Sequence, residues 1–167
     1  MEEKIYIAGS LFNEAEANQR KLEEEKLRGL GFKNIYNPIN APCNDKAQLP
    51  TAKDIFNGDT KELLESDIII ADISNQSDLG VACELGIAWA CNVINELSKE
   101  MSFEDILKVF KPKQVIAHLS DIRKSTANNY AGNNIPVGFN QYMIGMVEHM
   151  GIIKDNLKEV LGELKND

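Results

Sequence analysis

The acids at positions 59 and 84 stand where a helix would be expected to turn an apolar residue toward the core. From Thr51 to Glu65 the core-facing stripe passes through Ala52, Ile55, Phe56, position 59 and Leu63, and position 59 is aspartate. From Leu79 to about Leu97 the matching stripe passes through Val81, position 84, Leu85 and Ala88, and position 84 is glutamate. An ionised carboxylate left unpaired against apolar surface is costly. Each acid therefore needs a hydrogen-bonding partner, a shifted protonation equilibrium or a cavity that admits a ligand. Two such acids in neighbouring elements suggest a shared pocket, in which an ionised carboxylate can act as a nucleophile. Acids on helix faces are also commonly solvated or paired, and spacing alone leaves that reading open for both Asp59 and Glu84.

Glu84 lies within about two turns of a helix start, where the helix amino end is expected to favour its ionised form. The small residues Gly80, Ala82, Cys83 and Gly86 around it permit close approach by a ligand, or equally tight packing of helix on sheet. Asp78 is placed to cap that helix, and one of its oxygens could also accept a bond from a sugar hydroxyl. Tyr6 and Phe12 flank the carboxyl end of the first strand. They read either as core or as Phe12 stacking on a planar ring while Tyr6 hydrogen-bonds an acid. Gly9 and Ser10 could approach a phosphate, but neither G-x-G-x-x-G nor the P-loop pattern is present. His118 falls inside a strand and His149 at a helix end, with neither metal-ligand spacing nor a triad, so no metal is expected.

The elements that must position these residues alternate between strand and helix. Strands are predicted at Lys4 to Ala8, Asn34 to Tyr36, Asp67 to Ile73, Gln114 to Leu119 and Gly151 to Ile153. Helices are predicted at Asn13 to Arg28, Thr51 to Glu65, Leu79 to Leu97, Phe139 to His149 and Asp155 to Leu164, with a helical turn or two inserted between Met101 and Lys111. Near-continuous apolar strands argue for a sheet covered on both faces. The pattern predicts an α/β fold: a doubly wound, flavodoxin-like or Rossmann-like five-stranded parallel sheet with helices on both faces and its crevice at the carboxyl ends of the strands. The long irregular stretches 37–50 and 120–138 are read as functional loops.

At 167 residues the chain fits a single domain spanning 1–167. A formal net charge of −8, with no basic stripe, disfavours a nucleic-acid partner. Cys43, Cys83 and Cys91 form an odd set without C-x-x-C spacing, which fits a reducing cytoplasm. No apolar stretch approaches membrane-spanning length and no export signal stands at the amino end, so neither export nor a membrane partner is expected.

The pieces I-Y-I-A-G-S-L-F, N-G-D-T-K-E-L-L-E-S-D-I-I-I-A-D-I, D-L-G-V-A-C-E-L-G-I-A and P-V-G-F-N-Q-Y-M-I-G, in this order along the chain, resemble the nucleoside 2-deoxyribosyltransferases. The resemblance implies the doubly wound sheet and exchange of 2-deoxyribose between purine or pyrimidine bases of 2'-deoxynucleosides, without cofactor. It implies Glu84 as the nucleophile, Asp59 as the acid and base toward the nucleobase, and Tyr6 as the group that orients the nucleophile. It further implies Asp78 on the sugar 5'-hydroxyl, Asn140 donated by a neighbouring subunit, and a homo-oligomer, either a dimer or a trimer of dimers. A sister group that hydrolyses deoxynucleoside 5'-monophosphates resembles the chain around the same core. There, hydroxyl side chains bind phosphate at the places of Asp78 and Asn140, and an aspartate would repel a dianion. A binding module that kept the pocket without the chemistry is the third alternative. The segment Asn92 to Lys113 is longer than the family's usual link, and the loop 37–50 does not align cleanly.

Overall fold

The computed structural model describes residues 2–121 and 139–164. The first strand, β1 (Lys4–Ala8), runs through the core, with Ile5, Tyr6, Ile7 and Ala8 each no more than 1% exposed. Helix α1 (Glu14–Gly29) follows, capped by the Asn13 side chain on the Glu16 amide, with acids in its first turn and Lys26 and Arg28 in its last, as the helix dipole favours. Gly31 takes φ +97°, a left-handed turn open to glycine, before β2 (Asn34–Tyr36). Three short 3-10 turns, Pro38–Asn40, Pro42–Asn44 and Lys46–Gln48, carry the chain to α2 (Ala52–Leu64). That helix opens with a capping box between Thr51 and Asp54.

Strand β3 (Ile68–Ala71), α3 (Leu79–Leu97), α4 (Phe103–Val109) and β4 (Val115–His118) come next. Helix α5 (Gln141–Met150), β5 (Gly151–Lys154) and α6 (Leu157–Glu163) complete the described chain. Each predicted strand and helix in the described residues is present, with ends shifted by a residue or two where helix and strand ends fray.

The strands are parallel but form two sheets, which corrects the expectation of one five-stranded sheet. One has the order β2-β1-β3 and the other pairs β4 with β5. Among the described residues, no strand hydrogen-bonds the outer edge of β3. An apolar run marks a strand without naming its neighbour, and here β4 finds its partner in β5, with both strands packing against α5 and α6. The core cluster of Tyr6, Ala8, Leu63 and Val81 joins β1 to α2 and α3, with Tyr36, Ile69, Ala71 and Ile87 packed on it. Burial of this apolar surface sets the seat of α2 and α3, and so the positions of Asp59 and Glu84. Of the predicted loop 120–138, residues 122–138 lie outside the described residues, among them Pro136, Val137 and Gly138 of the fourth matching piece.

Candidate active site

The stripe read from α2 is the buried one: Ala52, Ile55, Phe56, Asp59 and Leu63 all lie inside, Asp59 at 4% exposure. On α3, Gly80, Val81 and Glu84 are buried, Glu84 at 7%, whereas Leu85 turns outward. Both acids line one cavity of about 580 Å³, closed on its apolar side by Leu11, Phe12, Pro38, Ile55, Val81 and Phe139. The two acids that interrupt the apolar stripes are thus brought together by the fold.

The register of β1 against β2 places Tyr6 opposite Tyr36. Their rings stack at 5.4 Å and 22°, and each hydroxyl reaches one acid. The Tyr6 hydroxyl donates to Glu84 Oε1 at 2.7 Å in a fully buried bond. The Tyr36 hydroxyl donates to Asp59 Oδ1 at 2.6 Å. Burial, followed by the neighbouring carboxylates, holds both phenols far above their usual range, so both act as donors at any working pH.

Burial pushes the Glu84 carboxyl up to about 8; the Tyr6 bond opposes this, and the charges of Asp59 and Asp78 add to it. This corrects the expectation that the helix amino end keeps Glu84 ionised. The helix-end field fades beyond the first turn, and Glu84 sits past it, where desolvation wins. Asp59 is also raised by burial, against hydrogen bonds from Tyr36, Cys43 and Asn44. Burial therefore favours the protonated form of both carboxyls, and the charge of Asp59 further disfavours ionisation of Glu84.

Asp78 caps α3, its Oδ1 accepting from the amides of Gly80 at 2.9 Å and Val81 at 3.3 Å. The same oxygen accepts from Asn140 Nδ2 at 3.3 Å, while Asn140 Oδ1 caps α5 through the Met143 amide at 3.0 Å. Asp78 Oδ2 accepts from none of the described residues. Asn140, for which the resemblance implied donation by a neighbour, lines the cavity of its own chain beside its own Asp78. Gly9 also lines the cavity, and a side chain there would run into the Arg20 guanidinium packed against it. Phe12 stands at the rim, 66% exposed.

Tyr36, Cys43 and Asn44 around Asp59, and the cavity-lining Tyr142, went unnoticed in the sequence. Tyr142 is held by a 2.7 Å hydrogen bond between its hydroxyl and Thr60. The aromatic closing β2, opposite the aromatic in β1, was the one available signal for Tyr36. His118 and His149 stay outside the cavity, and among the described residues no three His, Cys, Asp or Glu side chains cluster to hold a metal ion. Among the described residues no helix is long and apolar enough to cross a membrane.

A pair of buried carboxyls, each bound to a tyrosine and facing an apolar cavity beside the carboxyl ends of parallel strands, defines a site suited to glycosyl transfer or glycoside cleavage. Comparison with known proteins agrees with that class. The model of the family described as nucleoside 2-deoxyribosyltransferase matches residues 5–102, a span that holds both acids and both tyrosines, and the chain belongs to this family. A crystal structure described as a conserved protein from Enterococcus faecalis V583 is 28% identical over 99% of each chain, with a TM-score of 0.49. No curated protein matches the chain significantly.

Proposed function

We propose that the protein transfers 2-deoxyribose between nucleobases by a retaining double displacement through a glycosyl-enzyme intermediate on Glu84. The observation that carries this reading is the shared burial of Glu84 and Asp59 on one cavity, each with its own tyrosine donor. Tyr6 occupies Glu84 Oε1 and leaves Oε2 to attack the anomeric carbon of the sugar. As the bond from that carbon to the base nitrogen breaks, its electron pair goes to the base and Asp59 supplies the proton. The second base then loses a proton to Asp59 and displaces Glu84, restoring the starting configuration. Glu84 must be ionised to attack and Asp59 protonated to serve the base, so a productive complex has Glu84 as carboxylate and Asp59 as acid. No step calls for a cofactor.

Asp78 Oδ2 and Asn140 are suited to the sugar 5'-hydroxyl. A buried aspartate at that end of the cavity disfavours a 5'-phosphate, which supports a nucleoside over a nucleotide. Phe12 and the apolar wall suit a planar base. Asn140 serves the pocket of its own chain in this reading. A homo-oligomer is supported by apolar side chains left exposed on α3 and α4, with Trp89 at 66% and Phe103 at 74%.

Incubation with deoxyinosine and adenine tests the activity. The expected product is deoxyadenosine. Hypoxanthine with free sugar alone would mean hydrolysis, and an unchanged mixture would mean binding without chemistry. Consumption of deoxyinosine 5'-monophosphate but not deoxyinosine would overturn the role of Asp78.

A further inference from the structure

Three side chains approach the Asp59 carboxyl as hydrogen-bond donors. Its Oδ1 accepts from the Tyr36 hydroxyl at 2.6 Å and from Cys43 Sγ at 3.4 Å. Asn44 Nδ2 lies 3.4 Å from both carboxyl oxygens, with its nearer contact, at 3.1 Å, on the Pro38 carbonyl. Oδ1 therefore holds one strong donor, Tyr36, and one weaker one, Cys43, whereas Oδ2 has only the long Asn44 contact among the described residues. The thiol reaches this place because position 58 is glycine: a Cβ there would lie 2.7 Å from Cys43 Sγ and 2.9 Å from its Cβ. Burial lifts the Cys43 thiol to about 11, so near neutral pH it is a protonated donor and not a thiolate.

We propose that Tyr36 and Cys43 are positioning residues that fix Oδ1 of Asp59 and make Oδ2 the oxygen that exchanges the proton with the nucleobase. The proposal rests on the deoxyribosyl-transfer reading. In the first half-reaction the Oδ2 proton goes to a base nitrogen as the glycosidic bond breaks, leaving Asp59 ionised with its Oδ1 charge met by the two donors. In the second half-reaction Oδ2 recovers a proton from the incoming base. One carboxyl must give and take the same proton, so donors that steady its ionised form without touching the exchanging oxygen serve both directions. The other groups facing Asp59 are Glu62 on its own helix, Tyr6 on β1, Glu84 on α3 and Tyr142 on α5. Glu62 adds negative charge, Glu84 carries none once it is esterified by the sugar, and the two phenols stay neutral, which leaves Tyr36, Cys43 and Asn44 as the stabilising side.

The test follows the Asp59 carboxyl directly by carbon NMR of aspartate-labelled protein across a pH series, with Asp59→Asn assigning the resonance, alongside base-exchange kinetics. Tyr36→Phe keeps the ring stack and removes only the hydroxyl. Its Asp59 midpoint is expected about one pH unit higher than in the unsubstituted protein, with kcat down about tenfold and KM little changed. Cys43→Ala and Gly58→Ala are expected to move the midpoint the same way by a smaller step, and Cys43→Ser to restore it. Alanine also favours the helix at position 58, so the Gly58 result does not come from a weakened α2. An unmoved midpoint in Tyr36→Phe, with the unsubstituted protein active, would overturn the positioning role and leave the transfer reading standing. An unsubstituted protein that neither exchanges nor hydrolyses would overturn both.

Discussion

Replacing Glu84 with glutamine is expected to stabilise the fold, and to do so increasingly as the pH rises. Burial raises the carboxyl from 4.5 to about 8, so the folded state binds this proton more tightly than the unfolded chain does. Below about pH 4.5 the group is protonated in both states and costs nothing on this account. Between about 4.5 and 8 the unfolded chain releases the proton while the folded protein keeps it, and stability falls. Above about 8 the full penalty applies. At about 1.36 kcal/mol per pH unit, the difference corresponds to an upper limit of about 5 kcal/mol. Glu84 borders a cavity large enough to admit water, which lowers the penalty by screening, and about 2–3 kcal/mol is the working expectation. For a chain of this size that is roughly 5–10 °C in Tm. Glutamine keeps an oxygen for the Tyr6 hydroxyl, so the substitution removes the charge and little else. Thermal or urea unfolding of both proteins from pH 5 to 9 measures the gap. A gap that is flat or narrows with rising pH would refute the claim that burial governs Glu84.

Tyr6→Phe removes a hydrogen bond that favours ionised Glu84. The pH at which base exchange rises should move upward, and kcat near neutral pH should fall by roughly 10²-fold, as read from a pH–rate profile. Arg20 is 1% exposed and pairs with Asp72 at 2.6 Å and Glu23 at 2.8 Å, joining α1 to the end of β3. Arg20→Ala strands those acids and is expected to cost about 3–5 kcal/mol in urea unfolding. The same bond holds Asp72 down to about 2, so its contribution in the unsubstituted protein is present above the ordinary carboxylate range and lost as pH falls toward 2. Gly145 lets α5 press against α2, where a Cβ would meet the Ala52 carbonyl and lie 2.7 Å from Phe56 Cβ. Gly145→Ala should cost about 1–3 kcal/mol despite its better helix propensity, checked by thermal unfolding.

The parts of the site legible in the sequence were those with a periodic signature. Asp59 and Glu84 interrupted apolar stripes, and Asp78 carried the side chain of a helix cap, so one-dimensional spacing located all three. Tyr36, Cys43 and Asn44 had no such signature, because their contact with Asp59 depends on a strand register and a succession of tight turns that pairwise spacing does not encode. Arg20 sits among glutamates on a strongly charged helix and reads as solvated, yet it is among the most buried side chains. The helix-end effect on Glu84 is visible in the sequence, whereas the burial that outweighs it is not. The division of the strands into two sheets was hidden for a related reason: apolar runs predict strands individually, while pairing is settled by tertiary contacts.

The central claim is a covalent bond between Glu84 and the sugar, and acid quenching of the protein with a deoxynucleoside, followed by peptide mass spectrometry, tests it most directly. The account predicts a deoxyribosyl adduct on the peptide containing Glu84 that disappears on adding a second base and never forms in Glu84→Gln. Turnover with no adduct, an adduct on another residue, or native-rate exchange by Glu84→Gln would contradict it.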